Sequence, residues 1–198
     1  MNTLYTARLE LDPVDPKNAR ELWRVLGAPD LRRFQDIPRI RAEEFERQVR
    51  SRPRVLRAGI TGRFEWLIRT GDPAVAIGWI SLRINDRSPG IGEMGYSLIE
   101  SARGQGLAAE ALGAVIEETF RESEVDELQA CCVPENQASR TVLDKTGFSE
   151  QRLLRSGAMI RGRHVDVLLY ALHRGEWTRA RQTPSKNSMV TPASRKPK

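Results

Sequence analysis

The sequence predicts a mixed α/β fold, one sheet flanked by helices, and three observations predict it. Strand-like alternation and helix-like periodicity succeed one another along the chain. A turn-rich Thr70-Gly71-Asp72-Pro73 joins two β-rich runs. A third β-rich run then passes through a pair of glycines straight into a long amphipathic helix. With 198 residues, 39% of them hydrophobic and 29% charged, the chain has room for one sizeable core.

The elements follow in order. Residues 7–12 alternate apolar and polar, as a half-buried strand does, and Pro13 stops them. Asp15-Pro16 supplies a cap and a first-turn proline for a helix in which Ala19, Leu22, Trp23 and Leu26 recur at helical spacing until Gly27. A second helix covers residues 42–50. Residues 64–69 and 74–84 form the hairpin. In the strand of residues 94–99 the pleat puts Met94, Tyr96 and Leu98 on one side, with Glu93 directed to the other. From 105 to 121, Leu107, Ala108, Ala111, Leu112, Val115, Ile116, Thr119 and Phe120 trace one helical stripe. A strand at 127–133, a helix at 137–146 ended by Gly147, and strands near 148–156 and 163–172 complete a domain expected to span residues 1–180. Residues 181–198 are rich in Thr, Pro, Ser and Lys and are expected to be a disordered basic tail.

Charge and cysteine usage exclude several classes. The net charge is +6, but Arg181, Lys186, Arg195, Lys196 and Lys198 supply most of it, leaving the body nearly neutral. Such a tail attracts polyanions weakly and forms no shaped groove, so nucleic acid is not the expected partner. The chain starts without a basic and apolar leader, its longest strongly apolar run is far below the ~20 residues of a membrane span, and Cys131 and Cys132 are adjacent, read as buried strand thiols. A cytoplasmic protein is expected. Gly90-Ile-Gly92-Glu-Met-Gly95 matches a dinucleotide fingerprint by letter, but no strand precedes it and a strand, not a helix, follows. His164, Asp166 and His173 are too few and too dispersed for a metal site. Trp23, Trp66, Trp79 and Trp177 are scattered and read as core residues.

The chemistry concentrates at Arg103-Gly104-Gln105-Gly106-Leu107-Ala108, between a strand and the long helix. Two glycines let the backbone aim several N–H groups at one point, and the helix adds its unpaired N–H groups and positive dipole end. A pyrophosphate suits such a loop, and Arg103 adds charge-assisted bonds.

The run Met94-Gly-Tyr-Ser-Leu-Ile-Glu-Ser-Ala-Arg103-Gly-Gln-Gly106-Leu-Ala108-Ala-Glu-Ala resembles the acetyl-CoA signature of GNAT acetyltransferases, Arg/Gln-x-x-Gly-x-Gly/Ala. Asn136-Gln-Ala-Ser139 with Gly147-Phe148 resembles the next motif of the RimJ/RimL branch, and the likeness runs from Thr6 to Trp177. The resemblance implies a GNAT fold: a six- to seven-stranded mixed sheet splayed between the strands at 94–99 and 127–133, with the pantetheine arm in the split. Leu98 and Ile99 are then the positions whose backbone groups pair with it. Asn136 is implied to help hold the cofactor, and it is also a good N-cap. Acetyl transfer needs a neutral amine, so a base is useful; the resemblance makes Glu93 the candidate, with Ser139 as acid where many relatives carry tyrosine. The implied function is acetyl-CoA-dependent transfer to a primary amine, of a protein N-terminus or a small molecule, by direct attack in a ternary complex. A catalytically silent acyl-CoA-binding module is the alternative, and a homodimer is left open.

Overall fold

The structure, a computed structural model, describes residues 1–37 and 39–182. Eight strands form one sheet in the order β1-β2-β3-β4-β5-β6-β8-β7. They are β1 (Leu4–Tyr5), β2 (Glu10–Pro13), β3 (Gly62–Thr70), β4 (Val75–Asn85), β5 (Ser88–Leu98), β6 (Glu127–Cys132), β7 (Ser149–Ile160) and β8 (Arg163–His173). All neighbours are antiparallel except β5 and β6. The mixed α/β class is as expected, with one short strand, β1, beyond the six or seven anticipated.

The helices are α1 (Ala19–Leu26), α2 (Ala42–Arg50), α3 (Leu107–Glu122), α4 (Gln137–Lys145) and α5 (Arg174–Gln182). Alternation along β3 explains how both faces are used. Phe64, Trp66 and Ile68 enter a core with Leu107, Leu112 and Ile116 of α3, while Leu67 joins Trp79 against Leu22, Phe45 and Val49 of α1 and α2. Each of these large side chains contributes about 1.5–3 kcal/mol by leaving water. Trp66 is fully buried and Trp79 nearly so, in keeping with their expected core role.

Three boundaries move. β5 begins at Ser88, after a tight Asp86-Arg87 turn, so Gly90, Gly92 and Gly95 lie inside a strand and cannot open a helix on a dinucleotide. The long helix starts at Leu107, because Gly106 still has φ +78°. At the other end Arg181 belongs to α5, with Nη1 2.9 Å from Glu117 Oε2, so helix extends past the expected boundary at 180. The rest of the anticipated tail, residues 183–198, lies outside the described residues. Of the two cysteines, both free, Cys132 is buried but Cys131 is exposed, because successive strand residues point to opposite faces. Among the described residues no helix is long and apolar enough to cross a membrane.

Candidate functional site

β5 and β6 pair in parallel only from Ile91↔Glu127 to Met94↔Ala130. Beyond that point β5 stays on β4 as far as Leu98↔Gly78, and β6 stays on β8 as far as Cys132↔Leu168. The sheet therefore splits, and each strand turns one edge into the gap. The Ile99 N–H donates to Ile77 C=O at 2.8 Å on the β4 side, so alternation directs the backbone groups of Tyr96 and Leu98 toward the split. There Tyr96 C=O accepts from Gln35 Nε2 at 2.7 Å, and Leu98 C=O accepts from Arg103 Nε at 2.9 Å. Each carbonyl keeps a second lone pair for a ligand. Ile99 is directed the other way: its N–H donates to Ile77 C=O, and its C=O accepts from Ala102 N–H at 3.1 Å. Of the two positions expected to pair with an extended ligand, only Leu98 faces the gap, because neighbouring residues of a strand point their backbone groups to opposite edges.

At the end of the split lies the glycine loop. Gly104 and Gly106 adopt φ +76° and +78°, a region that side chains rarely enter. Gly106 caps α3 with no side-chain bond to the helix, and the first backbone bond of α3 is Glu110 N–H to Gly106 C=O at 3.1 Å. Among the described residues the N–H groups of residues 104–109 have no acceptor within the chain. Gly104, Gln105, Gly106, Leu107 and Ala108 thus present a cluster of donors at a positive helix end, which is what a diphosphate requires. Arg103, expected to add its charge there, donates from Nε to Leu98 C=O at 2.9 Å.

Sequence reasoning missed the support of this loop. Arg8 Nη1 donates to Gln105 C=O at 2.9 Å and Arg8 Nε to Glu110 Oε2 at 2.7 Å, while Thr6 Oγ1 donates to Glu110 Oε1 at 2.6 Å. Burial raises the Glu110 pKa, but the bonds from Thr6 and Arg8 outweigh it and hold the carboxylate below its ordinary value. Beside the loop is an open cleft of about 440 Å³ whose lining includes Arg8, Thr70, Ser101 and Leu107. Arg8 lies about a hundred residues from its partners, and no local pattern signals such a contact.

The two candidate proton-transfer residues flank the split from different faces of β5. Glu93 is exposed on the face away from α3, opposite Arg83 on β4 and Gln129 on β6. Ser139, in the first turn of α4, reaches the other face, where its Oγ is 2.9 Å from the hydroxyl of Tyr96. The two are not brought into contact. Asn136 acts as the helix cap, its Oδ1 accepting from Ser139 N–H at 3.2 Å. Cys132 lies against the same serine; burial pushes its thiol up to about 11, against a smaller lowering by Arg140 and by a hydrogen bond with Ser139. Trp79 Nε1 and Gln35 Oε1 are buried without partners among the described residues. Asp166, set aside as a metal ligand, is engaged by Arg155 at 2.6 Å and by Ser156 N–H at 2.9 Å.

A sheet split between parallel strands, with a donor-rich helix N-terminus at its mouth, suits an extended ligand that ends in a diphosphate. The Acetyltransferase (GNAT) domain family matches residues 8–149, and the chain belongs to that family, whose acetyl donor is acetyl-CoA. Among curated proteins it is 27% identical over 178 residues to an uncharacterized N-acetyltransferase p20 of Bacillus licheniformis, covering 89% of this chain and 99% of that one. It is 32% identical over 88 residues to the ribosomal protein uS5-alanine N-acetyltransferase of Escherichia coli, covering 44% of this chain and 45% of that enzyme. Among solved structures, the ribosomal-protein-S5-alanine acetyltransferase of Vibrio fischeri superposes with a TM-score of 0.75 at 17% identity, over 89% of this chain and 99% of that one. RimL, a ribosomal L7/L12 α-N-protein acetyltransferase in complex with coenzyme A, does so at 0.73 and 21%, over 87% and 98%. These likenesses agree with the resemblance to the RimJ/RimL branch, the solved structures by sharing the fold.

Proposed function

We propose that the protein transfers the acetyl group of acetyl-CoA to a primary amine, of the kind found at a protein N-terminus, by direct attack within a ternary complex. The observation that carries this reading is the set of N–H groups at residues 104–109, which find no acceptor among the described residues and stand at the mouth of the β5–β6 split. They suit the diphosphate, and the edge at Leu98 suits the pantetheine amides. The protein-amine acceptor is favoured by relatives that act on ribosomal-protein alanines. Such an enzyme would work in the cytoplasm.

In this reading Glu93, directly or through a water, takes the proton that the amine must lose to attack the thioester. As the C–N bond forms and the C–S bond breaks, the electron pair goes to sulfur, which Ser139 faces across the gap. No covalent enzyme intermediate is needed.

The test is CoA release from acetyl-CoA in the presence of short peptides with free N-termini, beside acetyl-CoA affinity by calorimetry. Gly106→Glu is expected to abolish binding, since a carboxylate would enter the diphosphate site and a side chain at φ +78° strains the loop. Unchanged affinity would put the site elsewhere. Tight binding with no CoA release for any amine would instead favour a silent acyl-CoA-binding module.

A further inference from the structure

Tyr96 and Ser139 approach one another from the two sides of the split, one from β5 and the other from α4, which follows β6. The Tyr96 hydroxyl is 2.9 Å from Ser139 Oγ and 3.1 Å from Ser139 C=O. A carbonyl only accepts, so the phenol donates to Ser139 C=O, whereas either hydroxyl can be the donor in the contact between the two; in the arrangement proposed below the phenolic hydrogen serves both oxygens. The ring packs against the core beneath α3, and the same residue is held at its main chain by Gln35 Nε2. Tyr96 is therefore fixed at both ends.

Ser139 alone is poorly fixed. A serine hydroxyl turns among three staggered wells, and in a helix it competes for a carbonyl one turn back. The tyrosine supplies what it lacks. We propose that Tyr96 is the positioning residue for Ser139: its phenol occupies the acceptor side of the serine oxygen and thereby sends the serine O–H toward the split, where the thiolate of CoA departs. This inference rests on the transferase reading above and deepens it.

The proton count is simple. The breaking C–S bond leaves its electron pair on sulfur, and the Ser139 O–H donates a hydrogen bond to that developing charge. The proton that sulfur finally carries balances the one given up by the amine nitrogen. Tyr96 keeps its own throughout. Burial raises its pKa far above the ordinary phenol range, outweighing the hydrogen bond with Ser139, so an ionised Tyr96 is not part of the cycle.

The experiment compares Tyr96→Phe, Ser139→Ala and the double variant with the wild type, using peptides that the wild type acetylates. Loss of one positioned hydrogen bond should cost on the order of 1 kcal/mol, so Tyr96→Phe is expected to lower kcat by about 5- to 10-fold. The KM for acetyl-CoA should stay within about twofold, because phenylalanine keeps the packing. In the Ser139→Ala background the second change should add no further loss, since two residues acting as one unit are not additive. Wild-type kcat in Tyr96→Phe, losses that multiply, or a fall in acetyl-CoA affinity with unchanged kcat would each overturn the pairing. A wild type that turns over no amine at all would overturn the transferase reading itself; wild-type turnover with an unaffected Tyr96→Phe overturns the pairing alone.

Discussion

Single side chains divide here into those that meet substrates and those that hold others in place. Glu93 belongs to the first group in the proposed reaction, and Glu93→Gln removes the proton acceptor while keeping shape. We expect kcat/KM for the amine to fall by roughly 10²-fold or more, with acetyl-CoA affinity unchanged; wild-type rates across pH would remove Glu93 from the mechanism. Arg8 belongs to the second group. Its ion pair with Glu110, at 2.6 Å, is half-exposed on the arginine side, so its share of stability is small, under about 1 kcal/mol. Its bond to Gln105 C=O, however, holds the glycine loop in shape. Arg8→Gln should therefore shift Tm by no more than a few degrees yet weaken acetyl-CoA binding by about 5- to 10-fold, as calorimetry would show. Glu110 sets the pH range of this support. Its folded pKa is lowered, so its contribution is present above the ordinary carboxylate value and is lost as pH falls through the lowered one.

Among the elements, β5 matters most, because it stays on β4 as far as Leu98 while its pairing with β6 ends at Met94, which opens the split. Its position depends on Gly78 of β4. A Cβ there would stand 2.3 Å from Ser97 C=O and 2.6 Å from Leu98 Cδ2, and a backbone oxygen cannot swing aside. Gly78→Ala should push β5 away at Ser97–Leu98, lowering stability by about 1–3 kcal/mol and acetyl-CoA affinity together. Denaturant unfolding and calorimetry would show both, and a variant as stable as wild type would mean that β4 gives way instead. Gly92 makes the contrast. Its Cβ would meet side-chain tips and no backbone atom: Leu128 and Leu82, both at 2.8 Å, and Val125 at 3.3 Å. Of the three glycines that imitate a dinucleotide fingerprint, Gly92 and Gly95 thus sit in close packing, whereas a Cβ at Gly90 would meet nothing within 4 Å. α3 is legible from its apolar stripe, whereas its start at Leu107 is not, since the positive φ of Gly106 is a property of the folded loop.

On the scale of the whole molecule, the sheet is two blocks joined by the few β5–β6 pairs between Ile91 and Met94, with helices over both faces. A ligand lying in the split would bridge the blocks and bind the folded state alone. At about 100-fold its Kd, acetyl-CoA should add about 2.7 kcal/mol and raise Tm by about 5–10 °C in a thermal melt; no shift at saturation would argue against binding to the fold. Most elements were legible in the sequence because burial of one face leaves a period of two or 3.6 in the residue pattern, as in residues 7–12 and α3. The glycine pair before α3 was legible because helix ends always leave N–H groups to satisfy. Those features depend only on neighbours along the chain. The split itself, the pairing of Tyr96 with Ser139, the hold of Gln35 on Tyr96 C=O and the clamp of Arg8 on the loop were decided by tertiary structure alone. Each joins residues dozens of positions apart, and a contact of that range leaves no periodic trace, because it is set by how strands align across the sheet and not by what lies beside them in the chain.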